Sequence, residues 1–80
     1  RIHAELLRLA RNNMRDDNSA VILRPPTHQT MASRLSASRE AVTREFNDLR
    51  RTGLVERQGR SLVIHDVSRL AAMVQRVLGH

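Results

Sequence analysis

The stretch over residues 38–53 constrains the fold of this chain more than any other part of it. A serine, which favours helix starts, opens the stretch, and a glycine, which favours helix ends, closes it. Between them Val42, Phe46 and Leu49 recur at i, i+4 and i+7, so they share one face of a helix. We therefore predict a helix over residues 38–51 that packs its apolar face on a core and leaves a polar face outside.

The other segments also have recognisable ends. The apolar run over residues 20–23 meets a proline pair, which a helix cannot enter, so that run predicts a strand. A threonine at position 27 is a predicted N-cap, and Gly59 lies in a predicted hairpin turn. The predicted elements are a helix over residues 1–13, a strand over 20–23, a helix from 27 to 35, the helix over 38–51, hairpin strands over 54–57 and 61–64, and a last helix opened by Asp66 or Ser68.

This pattern predicts one domain over residues 1–80, of the mainly α class with a small β hairpin (α+β). Two short helices separated by a few small residues, then a hairpin, describe a winged helix-turn-helix. In that architecture the second helix enters the major groove of DNA and the hairpin is the wing.

The charge of the chain agrees with a polyanionic partner. Fourteen arginines and no lysines stand against eight acidic residues, which gives a net charge of +6. The excess is spread along the whole sequence. Phe46 is the single aromatic residue, whereas modules for single strands stack bases on several aromatic rings. Double-stranded DNA is therefore the expected partner.

The polar face of the 38–51 helix supplies the predicted base contacts, which come mostly from the N-terminal part of such a helix. Arginine can bind guanine O6 and N7 in a bidentate way, glutamate can accept from cytosine N4, and a threonine methyl can touch a thymine methyl. The alternative is a merely solvated face, on which Glu40 and Arg44 would form an i,i+4 ion pair. The predicted base-contacting residues are Arg39, Glu40, Thr43 and Arg44.

Phosphate contacts are predicted at the two helix starts, where free N–H groups attract anions, and at the wing. Plain capping is an alternative role for the threonine and the serine, and a solvated turn is the alternative for Arg60. Gln58 is a secondary candidate at the wing, which spans residues 57–61. The predicted phosphate-contacting residues are Thr27, His28, Gln29, Ser38 and Arg60.

These residues resemble a known family. The segments Thr27-His28-Gln29-x-Met31-Ala32 and Leu35-Ser36-Ala37-Ser38-Arg39-Glu40-Ala41-Val42-Thr43-Arg44 are similar to the helix-turn-helix of the cyclic-AMP receptor protein / fumarate-nitrate regulator (CRP/FNR) superfamily. The segment from Gly53 to Ile64 resembles its wing, and Arg1 to Ala10 resembles its opening helix. The resemblance covers nearly the whole chain.

The resemblance implies a bacterial, cytoplasmic transcription regulator that binds pseudo-palindromic DNA as a homodimer and often touches RNA polymerase. Arg39, Glu40 and Arg44 match the family's base-reading positions, which implies a half-site containing TGA. It also implies that this chain is the C-terminal part of a longer protein, with the effector domain and the dimerisation helix upstream. No cofactor is expected in this segment, and a cyclic nucleotide or another effector is the candidate ligand of the upstream domain.

The sequence departs from the family pattern at three places. Many members have glycine in the turn where this chain has Ser36-Ala37, and a left-handed non-glycine residue there costs about 1 kcal/mol. Thr30 replaces the acidic residue of a capping box, which predicts a weaker cap. Ala41 is smaller than the residue in many relatives, which predicts a reduced backbone contact.

Other classes of function have less support. His65 and Asp66 are neighbours in sequence, and neighbours on a strand point to opposite faces, so they predict no Ser/His/Asp relay. The four histidines lack metal-ligand spacing. We expect no enzyme, no catalytic residue, no metal site and no membrane segment. Two alternatives stay open: a winged helix from another repressor family, and a winged helix that binds only protein.

Overall fold

The computed structural model describes the backbone of residues 1–79 and the side chains of residues 1–76. Its elements in chain order are α1 (Ile2–Arg11), β1 (Ala20–Ile22), α2 (His28–Leu35), α3 (Arg39–Arg51), β2 (Val55–Gln58), β3 (Ser61–Ile64) and α4 (Val67–Gly79). The predicted order of elements is confirmed.

Some predicted boundaries are wrong by one or two residues. Helix α1 ends at Arg11 rather than at residue 13, because Asn13 turns its side-chain amide back to donate to the Leu9 carbonyl at 2.7 Å. Strand β1 ends one residue early. Strand β2 is shifted by one residue, since Gln58 pairs with Ser61 in the ladder and leaves a two-residue turn.

The sheet has three strands rather than the two of the predicted hairpin. The strand order is β1-β3-β2, and both pairings are antiparallel. Ile64 lies opposite Ala20 on one side and Val55 on the other, so β3 is the central strand. The fold class therefore stands, and the hairpin is extended by a strand that lies about 40 residues away in sequence.

The two helices of the helix-turn-helix begin at the predicted caps. The Thr27 hydroxyl accepts from the Thr30 N–H at 3.0 Å, and the Ser38 hydroxyl accepts from the Ala41 N–H at 3.0 Å. Thr30 does not complete a capping box, because its hydroxyl accepts from the Thr27 hydroxyl at 2.9 Å. Each of the two helices therefore starts with one side-chain cap, from Thr27 in α2 and from Ser38 in α3.

The turn between α2 and α3 keeps the left-handed backbone that glycine favours. Ser36 adopts φ 54° and ψ 42°, and the Ala37 N–H donates to the Ala32 carbonyl at 2.9 Å. Gly53 ends α3 with φ +80°, and the Leu54 N–H donates to the Leu49 carbonyl at 3.0 Å. Both helix ends follow the Schellman pattern, in which a left-handed residue lets the chain satisfy the last carbonyls and turn away.

The first turn of α4 is closed by a residue that lies far away in sequence. Asn18 has φ 66°, and its carbonyl accepts from the Val67 N–H at 2.9 Å. Its side-chain oxygen accepts from the Ser68 N–H and hydroxyl, and its amide donates to Asp66. Asp66 in turn accepts from the Arg69 N–H at 2.9 Å, so Asp66 is the N-cap of α4. The loop before β1 is thereby fastened to the last helix.

One apolar core joins all the elements. Its most enclosed side chains come from four helices, from two strands and from the loop just before β2, and no polar side chain is buried among the described residues. The core therefore holds the buried face of α3 through apolar contacts. Since no polar side chain is buried there, none needs a hydrogen-bond partner inside the core. The largest fully buried side chains are Leu6, Met31, Val42, Leu54, Val55, Ile64 and Leu70.

Candidate nucleic-acid interface

Helix α3 separates its side chains into a buried rear and an exposed front. Val42 is fully buried, and Phe46 and Leu49 are 5% and 3% exposed. On the other side Glu40 and Arg44 are exposed. The thirteen residues of α3 make a rod about 20 Å long, and its diameter of about 10–12 Å matches the width of the major groove of B-form DNA.

A groove of about 690 Å³ runs between the start of α2 and the front of α3. It brings together seven of the nine residues predicted to contact DNA, whereas Ser38 and Arg60 do not line it. Residues from the α2 start that were predicted to hold phosphate therefore lie beside residues from α3 that were predicted to read bases. The seven are Thr27, His28, Gln29, Arg39, Glu40, Thr43 and Arg44.

The charged groups of the α3 front are not used inside the domain. Glu40 and Arg44 do not form the i,i+4 ion pair of a merely solvated face, and neither is paired with another described residue. The i,i+3 contacts of α3 lie further along, where Arg51 binds Asp48 and Arg50 donates to Asn47 at 2.9 Å. The charged groups in the N-terminal half of the front are thus free.

His28 is built into the wall of this groove. Its ring stacks on the Phe46 ring with centroids 4.8 Å apart and planes 18° apart. Its Nδ1 lies 2.9 Å from the Thr43 hydroxyl oxygen. Burial lowers the pKa of His28 below its ordinary value of 6.5, and the cations of Arg50 and Arg57 lower it further. No spacing rule joins residues 15 apart on two helices, so sequence reasoning missed this contact.

Three further residues line the groove beyond those predicted. Asn47 and Arg51 follow Arg44 along the polar face at the helical period, and the same periodicity places them on the front. Asp48 lies beside them and binds Arg51. The helical period is the signal that finds Asn47 and Arg51, whereas nothing in the sequence separates Asp48 from the other solvated acids.

The two remaining predicted residues occupy other places. Ser38 is exposed at the start of α3, where its hydroxyl caps the helix. Arg60 is exposed in the two-residue turn between β2 and β3, and Gln58 is exposed beside it. Arg60 makes no side-chain hydrogen bond or ion pair with another residue among the described side chains. The wing therefore ends in a free guanidinium.

The residues that could carry enzyme or metal chemistry are dispersed. His65 lies 2.8 Å from a carboxylate oxygen of Glu56, whereas Asp66 is engaged at the start of α4. Across the described residues, no three His, Cys, Asp or Glu side chains are placed to hold a metal ion. His80 lies outside the described residues.

Within the same part of the chain, no helix combines the length and the apolar character that crossing a membrane would need.

The helix-turn-helix, its free polar front and the arginine-tipped hairpin define a winged helix-turn-helix protein. The model of the Crp-like helix-turn-helix domain matches residues 1–73. The chain therefore belongs to the Crp-like helix-turn-helix family, within the CRP/FNR superfamily of regulators. The predicted family is confirmed, and the alternative of a winged helix from another repressor family is wrong.

Solved structures share this fold. Oxidised CprK in complex with o-chlorophenolacetic acid matches with a TM-score of 0.78 and 14% identity, over 99% of this chain and 37% of that one. Reduced CprK without ligand matches with a TM-score of 0.80 and 14% identity, over 91% and 36%. The imidazole-bound form of the CO-dependent transcription factor CooA from Carboxydothermus hydrogenoformans matches with a TM-score of 0.76 and 20% identity, over 89% and 34%.

The chain thus spans about a third of the length of these proteins. Comparison with curated protein sequences found no significant match.

Proposed function

We propose that this chain binds double-stranded DNA in a sequence-specific way and serves a transcription regulator as its DNA-binding domain. Helix α3 lies in the major groove, and the wing over residues 57–61 lies on the backbone. The observation that supports this proposal is the groove at the α2 start, because it brings the first turn of α2 next to the unpaired charged side chains of α3.

The proposed base contacts follow from the chemistry of the free side chains on α3. Arg39 and Arg44 each present a planar fork of donors that matches guanine O6 and N7, and Glu40 accepts from cytosine N4. Thr43 lies in the wall of the groove and contributes its methyl group, which can touch a thymine methyl. A half-site that contains TGA, as the family resemblance implies, has G·C and T·A pairs for such groups.

The proposed phosphate contacts surround the base-reading groups. Thr27, His28 and Gln29 stand at the first turn of α2, and Ser38 stands at the start of α3, where N–H groups and the helix dipole favour an anion. Arg60 reaches a neighbouring phosphate from the wing. The net charge of +6 draws the domain toward the duplex as a whole.

The whole regulator is proposed to be a cytoplasmic homodimer that pairs through a helix upstream of this segment and contacts RNA polymerase. An upstream domain would bind the effector, and a cyclic nucleotide is one candidate. Two structural neighbours are consistent with small-molecule control, since CooA is named a CO-dependent transcription factor and CprK was solved with o-chlorophenolacetic acid. No cofactor and no catalytic activity are proposed for this segment.

The test is a comparison of two arginine variants on two duplexes, one selected by the chain from random DNA and one unselected. Arg44→Ala should cost about 1–3 kcal/mol on the selected duplex and little on the other, since it removes a base contact. Arg69→Ala is the matched control, because Arg69 is exposed on α4 and does not line the groove. Fluorescence anisotropy titrations measure both.

Equal losses from Arg44→Ala on the two duplexes would mean that Arg44 contacts only phosphate. If the wild-type chain selects no sequence, the proposal of sequence-specific binding is wrong, and an affinity that also does not fall steeply with salt excludes DNA as the partner. The alternative of a winged helix that binds only protein would then be favoured.

A further inference from the structure

The contact between His28 and Thr43 joins the two halves of the proposed interface. His28 is the first residue of α2, and Thr43 lies one turn into α3. The Nδ1 to Oγ1 distance of 2.9 Å is that of a good hydrogen bond. Both side chains are half-buried and both line the groove, so the bond lies at its wall rather than in open solvent.

The ring of His28 is held from behind as well. Phe46 is buried in the core, and the imidazole lies almost parallel to it at 4.8 Å. A ring stacked on a fixed surface and bonded at Nδ1 has little freedom to rotate. Nε2 is then the one ring nitrogen left for a ligand, and it has no hydrogen-bond partner among the described side chains.

This arrangement determines how Thr43 can meet DNA. A neutral imidazole carries one N–H donor and one acceptor nitrogen. If Nε2–H donates to a phosphate, Nδ1 must accept, and the Thr43 hydroxyl must donate its single hydrogen to Nδ1. Thr43 then has only its methyl group and an oxygen lone pair to offer a base edge.

Burial is the main cause that lowers the pKa of His28, and the charges of Arg50, Arg57 and Arg39 lower it further. Glu40 and Asp48 are the carboxylates of the same groove. Burial and the three cations thus favour the neutral ring, which carries one donor and one acceptor nitrogen.

We propose that His28 is a positioning residue that fixes the side chain of Thr43 and thereby sets the base preference at the pair that Thr43 faces. The same ring holds a phosphate through Nε2, so the position of the backbone and the reading of that base are linked. This inference rests on the proposed function, because it assigns a role inside the same interface.

The experiment compares His28→Phe, Thr43→Ala and the double variant on the selected duplex and on duplexes with each base pair changed. The pair that Thr43 reads is the one whose discrimination disappears in Thr43→Ala. Phenylalanine keeps a ring to stack on Phe46 and removes both nitrogens. We expect His28→Phe to weaken binding to every duplex and also to reduce discrimination at that one pair by roughly threefold or more.

Two further variants complete the test. Thr43→Val keeps the branched shape and lacks the hydroxyl that bonds Nδ1, so it should lose discrimination at that pair to the same extent as His28→Phe. His65→Gln is the matched control, because it removes an imidazole at the exposed end of β3, outside the groove. Thermal melting of each variant verifies that it is folded, and His28→Gln replaces His28→Phe if the latter is not.

The outcomes separate this inference from the proposed function. In the double variant, discrimination should be no lower than in Thr43→Ala alone, because both changes act through one side chain. If His28→Phe weakens all duplexes equally, His28 is a phosphate contact only and the inference is wrong while the proposed function stands. If the wild-type chain prefers no duplex, both are wrong.

Discussion

Ser36 shows how a single residue adapts a common motif. The chain must reverse within three residues between α2 and α3, and it does so through a left-handed backbone at φ 54°. A Cβ atom in that region costs about 1 kcal/mol, a cost that glycine would not carry. The motif survives because the bonds from Ser36 and Ala37 to the last carbonyls of α2 are still made.

Replacement of Ser36 by glycine is therefore expected to stabilise the domain by about 0.5–1 kcal/mol. Ala37→Gly is the matched control, because Ala37 is the next residue and has no positive φ, and it should destabilise by a similar amount. Urea unfolding followed by circular dichroism measures both. A loss of stability in Ser36→Gly would show that the serine side chain stabilises the turn.

At the scale of elements, the start of α4 depends on a residue that is not part of the helix. Asn18 supplies acceptors for the Val67 and Ser68 N–H groups, and Asp66 supplies one for Arg69. These are N–H groups that no helix can satisfy internally. Because Asn18 sits just before β1, the same contacts join the sheet to the helix that packs on α1.

Asn18→Ala should destabilise the domain by about 1–2 kcal/mol, because it removes the side-chain cap and keeps the strained φ of 66°. Asn18→Gly removes the same cap and relieves the backbone, so it should cost about 1 kcal/mol less than the alanine variant. Chemical denaturation of the three proteins gives the comparison. Equal stability of wild type and Asn18→Ala would mean that water replaces the side chain without cost.

At the scale of the whole molecule, ionisable groups tie neighbouring elements together. Glu5 of α1 contacts Arg8 at 2.7 Å and reaches Arg34 of α2 at 3.6 Å. The hydrogen bond from Arg8 is the main cause that lowers the pKa of Glu5 below 4.5, and Arg34 adds to it. His28 links α2 to α3, and its pKa also lies below its ordinary value.

Both shifts predict that stability falls on acidification. For His28 the unfolded chain takes up the proton first, so stability begins to fall as the pH drops through about 6.5 and continues to fall to the lower pKa of the folded state. For Glu5 the loss begins as the pH drops through about 4.5, where the carboxylate of the unfolded chain is protonated and the folded one is still charged.

Free energies of unfolding between about pH 8 and 3 test this assignment. His28→Gln should flatten the step near pH 6.5 and leave the one below 4.5, and Glu5→Gln should do the reverse. The two variants are controls for each other, because each removes one of the two groups and leaves the other in place. An unchanged upper step in His28→Gln would assign that step to another group.

The local elements of this protein were determined by the sequence alone. Helix caps, apolar periodicity and turn glycines act within a few residues, so their effects can be predicted from the sequence. The examples here are the caps at Thr27 and Ser38 and the apolar face of Val42, Phe46 and Leu49. The same short-range rules placed the charged front of α3. The family motif also lies in these segments, and it agrees with the fold class and the DNA partner that the helix pattern and the charge predict.

Contacts between distant segments were decided only by the tertiary structure. The pairing of β1 with β3, the fastening of α4 by Asn18, and the contact from His28 to Thr43 and Phe46 each join residues that no periodicity relates. Each depends on how the helices and strands pack around a shared core, because packing alone brings such side chains within hydrogen-bonding distance. For the same reason, the groove where we place DNA became visible only in three dimensions.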